Sequence, residues 1–113
     1  MVLKRLGIGV DIESISRFQR INFDKNRNFY ERIFNRDEIK YCLSKKNSSQ
    51  HFAARFCAKE AFIKAINRAI KDYKAIEIKI ENNKPIIAWG KKKYPLSLAH
   101  EKDKAIAFVA VKQ

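Results

Sequence analysis

The sequence predicts an α+β fold: an antiparallel sheet packed against a long central helix, with shorter helices beside it. Three observations carry that expectation. Apolar residues follow helical spacing through the first half of the chain. From residue 75 onward the period switches to two. The period-two runs are joined by short turns, so helices come early and hairpins late.

Residues 6–13 form the first strand, Leu6-Gly-Ile-Gly-Val-Asp-Ile-Glu13. Period two puts Leu6, Ile8, Val10 and Ile12 on one face and Gly7, Gly9, Asp11 and Glu13 on the other. Two glycines followed by an acid leave room for a ligand or another backbone to lie against the strand, with a carboxylate at its end. Ser14 is placed to cap a helix over 15–21 with Ile15 and Phe18 inward and Arg17 and Arg20 outward; residues 22–28 break it. A second helical pattern starts near Phe29, is interrupted at Asn35-Arg-Asp, and resumes with Ile39, Tyr41 and Leu43; residues 45–50 read as a loop.

The central helix is expected over about residues 51–71, with Phe52, Phe56, Ile63, Ile66 and Ile70 as its buried stripe. Residues 75–81 then read as a strand, 82–85 as a turn, and 86–89 as its antiparallel partner. Residues 94–100 form a short strand ending in His100, followed by the charged turn 101–104 and a last apolar strand over 105–111.

Composition bounds the function. At 113 residues the chain is read as one small domain, 1–113. Its 46% hydrophobic content and eight phenylalanines exclude a disordered basic tail. Twenty-five lysines and arginines against 12 acids give a net charge of +13, which steers anionic partners without saying which anion. Cys42 and Cys57 lack a metal-ligand or Cys-x-x-Cys spacing and read as reduced thiols. No apolar run is long enough for a signal peptide or for a membrane span of about 20 residues, so a soluble cytoplasmic protein is expected.

The chemistry concentrates in Arg55-Phe-Cys-Ala-Lys-Glu-Ala-Phe-Ile-Lys64. Glu60 lies one turn beyond Phe56 and three residues before Ile63, so it should point at least partly inward. A buried carboxylate is costly unless a cation, a metal or several donors meet it. A surface pair with Lys64 at i, i+4, worth about 0.2–0.5 kcal/mol, satisfies the same spacing. Asp11 is a possible second carboxylate or a strand-end cap. Ser97 and His100 are candidates for phosphate or ribose contacts. The pair Gly7-x-Gly9 lacks the third glycine of a dinucleotide fingerprint.

Three segments in this order, Gly7-Ile-Gly-Val-Asp-Ile-Glu13, Arg55 to Lys64, and Leu96-Ser-Leu-Ala-His100, together resemble the 4'-phosphopantetheinyl transferases of the short holo-acyl-carrier-protein synthase type. Residues 29–38 resemble the family's connecting segment. The chain departs from the family pattern in having no glycine directly after the central helix and in carrying Ala99 where a second hydroxyl is usual.

The resemblance implies transfer of the 4'-phosphopantetheine arm of coenzyme A to a serine of apo-acyl carrier protein, in the service of fatty acid biosynthesis. It implies a magnesium ion held by Asp11 and Glu60, with Glu13 left open as a further ligand, and catalytic roles for Glu60 and Lys64. It offers Arg55, Lys64, Ser97 and His100 as coenzyme A contacts, Arg17 and Arg20 as carrier-docking residues, and a homotrimer with sites at subunit interfaces. Oxygen-only ligands suit magnesium best. Two rivals stand beside this reading. A basic nucleic-acid-binding domain would use the charge and the aromatics Tyr73, Trp89 and Tyr94, but leaves the carboxylates unexplained. A coenzyme A-binding regulator would lack the transfer step. The family reading expects neither nucleic acid nor a membrane as partner.

Overall fold

The computed structural model describes residues 6–112. The chain runs β1 (Leu6–Ser14), α1 (Ile15–Arg20), α2 (Arg27–Ile33), α3 (Arg36–Leu43), α4 (Ser48–Ile66), then β2 (Glu77–Glu81), β3 (Lys84–Trp89), β4 (Lys92–Glu101) and β5 (Lys104–Lys112). The strands form one antiparallel sheet in the order β1-β5-β4-β3-β2. The expected α+β architecture is the observed one.

The turns follow from residues that accept a left-handed backbone. Asn82 and Asn83 both have positive φ, 51° and 63°, so the β2–β3 turn is two residues long and Lys84 and Pro85 belong to β3. Gly90 (φ 63°) and Lys102 (φ 54°) serve the next two turns. Asn67 (φ 54°) ends α4, five residues before the periodicity suggested, and Ile70 falls outside the helix. At its other end α4 begins at Ser48, inside the segment expected to be a loop.

Two caps differ from expectation. Ser14 makes no capping bond to α1. Asp103, from the β4–β5 turn, accepts instead from the Ser16 amide (2.8 Å) and from the Ser14 hydroxyl (2.9 Å). Asn35, expected only to interrupt a helix, starts α3 with a reciprocal capping box to Glu38.

α4 lies across β1 and β5, and its burial is wider than a single stripe. Phe52, Phe56, Phe62 and the spaced small residues Ala53, Cys57, Ala61 and Ala65 are all buried, whereas Ile63 and Ile66 are only partly so. Of the two possibilities the glycine face of β1 left open, a second backbone is the one realised. A Cβ on Gly9 would stand 1.8 Å from the Ala61 carbonyl oxygen, so only glycine allows this strand and this helix to touch. The core continues through Ile76, Ile78, Ile87, Ala107 and Val109 on one side. On the other, Phe18, Tyr30, Phe34, Phe52 and Phe56 form an aromatic cluster.

With its glycine face turned to α4, β1 turns its apolar face outward. Ile8, Val10 and Ile12 are 55%, 53% and 57% exposed, and Phe108, opposite Val10 on β5, is 46% exposed. A second irregularity lies in β4. Its residues 92–95 pair only with β3 and its residues 96–101 only with β5. Pro95, which has no N–H to give a ladder, sits at the changeover.

Candidate active site

The contact at Gly9 decides where the acids go. Asp11 and Glu13 follow on the same face of β1, beside the turns of α4 that carry Glu60 and Lys64. Asp11 Oδ1 accepts from the Lys64 ammonium at 3.1 Å, and Lys64 also donates to the Val10 carbonyl at 3.0 Å. The other oxygen, Oδ2, is buried without a hydrogen-bond partner. A buried acceptor in that state is costly unless something else meets it.

Among the described residues Glu60 pairs with neither Lys64 nor another cation. Its Oε1 accepts from the Tyr73 hydroxyl at 3.1 Å. Glu13 accepts from Arg17 at 3.1 Å. Burial raises the Glu13 carboxyl above its ordinary value; Arg17 pulls it back, and the nearby charges of Asp11 and Glu60 push it further up. The three carboxylates therefore share one electrostatic neighbourhood. Phe56, one turn before Glu60, braces both partners: the Arg17 guanidinium lies 5.5 Å from its ring centre, and the Tyr73 ring stacks on it at 6.1 Å and 11°. Burial and the Asp11 charge push the Cys57 thiol up to about 12, so this cysteine beside the acids is inert.

The residues expected to contact a phosphate or ribose fall in a second place. Arg55 and Ser97 line a cleft of about 360 Å³ with Tyr41, His51, Pro85 and Leu96. The cleft opens where β4 leaves β3 at Pro95. Arg55 is only 4% exposed; its guanidinium lies 4.3 Å from the Tyr41 ring centre and donates to the His51 carbonyl at 3.5 Å. His100 is exposed at the end of β4, close enough that its charge helps lower the His51 imidazole, after burial and Arg55. Asp11 and Lys64 line a different pocket with Val10, Ile12 and Ile106. The structure thus joins Asp11 to Lys64, with Glu60 one turn away on Tyr73 and within electrostatic range of the same acids, and separately places Arg55 with Ser97. Of the outward arginines, Arg17 folds back onto Glu13, while Arg20 is exposed and, among the described residues, donates to Ser16.

Two residues that matter here escape a reading of the sequence. Lys59 is wholly buried and donates to Glu38 (2.7 Å) and to the carbonyls of Ile33 (2.8 Å) and Tyr73 (2.9 Å). The signal for it was available, since apolar residues occupy nearly every face of α4 and a lysine among them must be enclosed. Tyr73 offers no such signal, because it lies beyond α4 in an irregular segment.

A model of the 4'-phosphopantetheinyl transferase superfamily matches residues 7–109. The chain belongs to that superfamily. Within it the chain is of the holo-[acyl-carrier-protein] synthase type. It is 38% identical to the holo-[acyl-carrier-protein] synthase of Geotalea daltonii, over 95% of this chain and 98% of that one. It is also 37% identical to the synthase of Clostridium acetobutylicum, over 93% and 95%. Among solved structures, the Neisseria meningitidis synthase superposes with a TM-score of 0.82 at 30% identity, covering 95% of this chain and 98% of that one. The Bacillus anthracis synthase, solved in complex with CoA (3',5'-ADP), gives 0.80 at 31% identity, covering 95% and 96%. In this transferase the two ends of the family motif on α4 lie at two different pockets, Arg55 at the first and Lys64 at the second.

Proposed function

We propose that this protein transfers the 4'-phosphopantetheine arm of coenzyme A to a serine hydroxyl of apo-acyl carrier protein and releases adenosine 3',5'-bisphosphate. The observation that carries the reading is the meeting of Asp11 from β1 with the Glu60–Lys64 turn of α4, where Asp11 keeps a buried oxygen without a partner. A divalent cation suits that oxygen. Magnesium is commonly held by one or two carboxylates, with water and phosphate oxygens completing its shell. Among the described residues no group of three or more His, Cys, Asp or Glu side chains is assembled. Asp11 and Glu60 would hold the ion, with Glu13 within electrostatic range. Bound there, magnesium supplies neutralisation of the pyrophosphate under attack and of the bisphosphate that leaves.

The chain's own residues do the rest. Lys64 has a side chain 56% exposed and an ammonium already on Asp11, so it is placed to turn toward a phosphate. Arg55 with Ser97 offers the cleft at β4 to the adenosine 3'-phosphate, and His100, exposed farther along the same strand, is a further contact in this reading. Holding both ends of coenzyme A aligns the phosphorus with the incoming serine. Glu60, or a water it holds, is the acceptor for the serine proton.

We read the exposed apolar face of β1 and β5 as the contact between copies of this chain, with the trimer implied by the family as its closed form. Such a contact offers a way for the two separate pockets to be joined across subunits. Arg20, the exposed arginine of α1, and the net charge of +13 suit an acidic carrier protein. The reading takes the chain as a single transferase domain working in the cytoplasm; no helix among the described residues is long and apolar enough to cross a membrane.

The test is mass spectrometry of apo-acyl carrier protein incubated with the protein, coenzyme A and magnesium. The carrier is expected to gain one phosphopantetheine, and the gain to vanish with a chelator. Asp11→Asn and Glu60→Gln should each slow it by at least about a hundredfold, comparable to losing one preorganised charge contact. An unmodified carrier, or full turnover in both variants at limiting magnesium, overturns the reading.

A further inference from the structure

We propose that Tyr73 is a positioning residue for Glu60: its hydroxyl holds Oε1 of the carboxylate and so leaves Oε2 aimed at a ligand shared with Asp11. The inference rests on the reading of Glu60 as a metal ligand and adds a residue to it.

The hydroxyl is held from several sides. The Tyr73 ring stacks on Phe56 at 6.1 Å and 11°, and Phe56 precedes Glu60 by one turn of α4. A tyrosine lying along that ring therefore presents its oxygen at the next turn, where the 3.1 Å bond to Glu60 is found. Its backbone is pinned as well. The Tyr73 carbonyl accepts from Lys59 Nζ at 2.9 Å and from the Ile76 amide at 3.2 Å, and the Ala75 amide closes the turn on Asp72 at 3.2 Å. Lys59 is in turn fixed by Glu38 at 2.7 Å and by the Ile33 carbonyl at 2.8 Å. The motif's lysine thus holds the residue that orients the motif's glutamate.

The hydroxyl finds in Glu60 its one hydrogen-bond partner among the described residues. Packing against Phe56 would be served equally by a phenylalanine, whereas orienting a carboxylate needs the O–H. A glutamate left free turns between rotamers and meets a cation in only some of them; a hydrogen bond on one oxygen removes that search.

Tyr73→Phe keeps the stack and removes only the hydroxyl, so it separates the two roles. The measurement is Mn²⁺ binding followed by electron paramagnetic resonance, on wild type, Tyr73→Phe, Glu60→Gln and the double variant. The second readout is the Mg²⁺ concentration giving half-maximal transfer. Tyr73→Phe is expected to weaken Mn²⁺ binding about tenfold, the lower end of the loss typical of outer-shell partners, and to raise the half-maximal Mg²⁺ by the same factor. Glu60→Gln and the double variant should bind Mn²⁺ equally, because the hydroxyl acts only through Glu60. Unchanged binding in Tyr73→Phe beside weakened binding in Glu60→Gln overturns the inference and leaves the proposed function standing. A further loss in the double variant overturns it too. Unchanged binding in Glu60→Gln removes the metal reading itself, and this inference with it.

Discussion

Lys59 and Glu60 are neighbours on α4 and meet opposite fates. Lys59 enters the interior completely, and there every polar atom around it is answered: its ammonium has three acceptors, and Glu38 accepts from Lys59, the Asn35 amide and, on its other oxygen, the Ile78 amide at 2.8 Å. Glu60 stays half-buried and, among the described residues, meets one tyrosine hydroxyl and no cation, in the neighbourhood of an aspartate that has an orphaned oxygen. The difference teaches that neither charge nor burial marks the site. Incomplete satisfaction marks it, since a network that lacks nothing has no call for a ligand and one that lacks a partner has.

The largest effect should come from breaking the satisfied side. Lys59→Met leaves Glu38 buried without its cation and two carbonyls without their donor, at a cost of about 3–5 kcal/mol in a urea titration. Glu60→Gln in the same titration should stay within about 0.5 kcal/mol of the parent, as for substitutions outside a packed network. If the two variants lose stability alike, the contrast between these neighbours collapses.

A smaller effect sharpens the second pocket. Coenzyme A and its 3'-dephospho form differ by one phosphate, and Arg55→Ala should narrow the preference between them by about ten- to a hundredfold, or about 1.5–3 kcal/mol. Because Arg55 also braces Tyr41 and His51, the ratio between the two cofactors is the quantity to read. A ratio unchanged from wild type removes Arg55 from the phosphate contact.

The smallest effect concerns Glu13. Its carboxyl is raised in the folded protein above the ordinary 4.5, so the folded chain holds that proton more tightly than the unfolded chain does. The stability this contributes is complete below the unfolded value and is lost as pH rises through the folded one. Glu13→Gln removes that dependence, so the parent should lose ground to the variant as pH rises above about 4.5. A parent that gains on the variant over that range reverses the sign and shows that the Arg17 pair outweighs burial.

The parts of the molecule that sequence reveals are those governed by local rules. The strands declared themselves by alternation, and the turn at Asn82-Asn83 by its residue types, which tolerate positive φ. Asp11 and Glu60 were legible because acids at those positions disturb an otherwise apolar or bare pattern. What stayed hidden depends on partners distant in sequence. The end of α4 was misplaced because Ile70 continues the apolar spacing, while the stop comes from Asn67 in a left-handed conformation that many residues could decline to adopt. The cap on α1 was assigned to Ser14 because Asp103 is brought there only by the β4–β5 turn. Tyr73 reaches Glu60 only because Lys59 ties down its turn.

The pairing of β1 with β5 has a consequence for how the protein comes into being. Asp11 stands opposite Ala107, so the strand that carries the first acid has no hydrogen-bonded neighbour until the last strand has been synthesised. The helices and the β2–β3–β4 meander can form from contacts close along the chain as it leaves the ribosome, whereas the acidic pocket must wait for the closure of nearly the whole sequence into a loop. A molecule without β5 would leave Asp11 with no paired neighbour strand, so the cation site proposed above can form only once β1 and β5 have closed on each other.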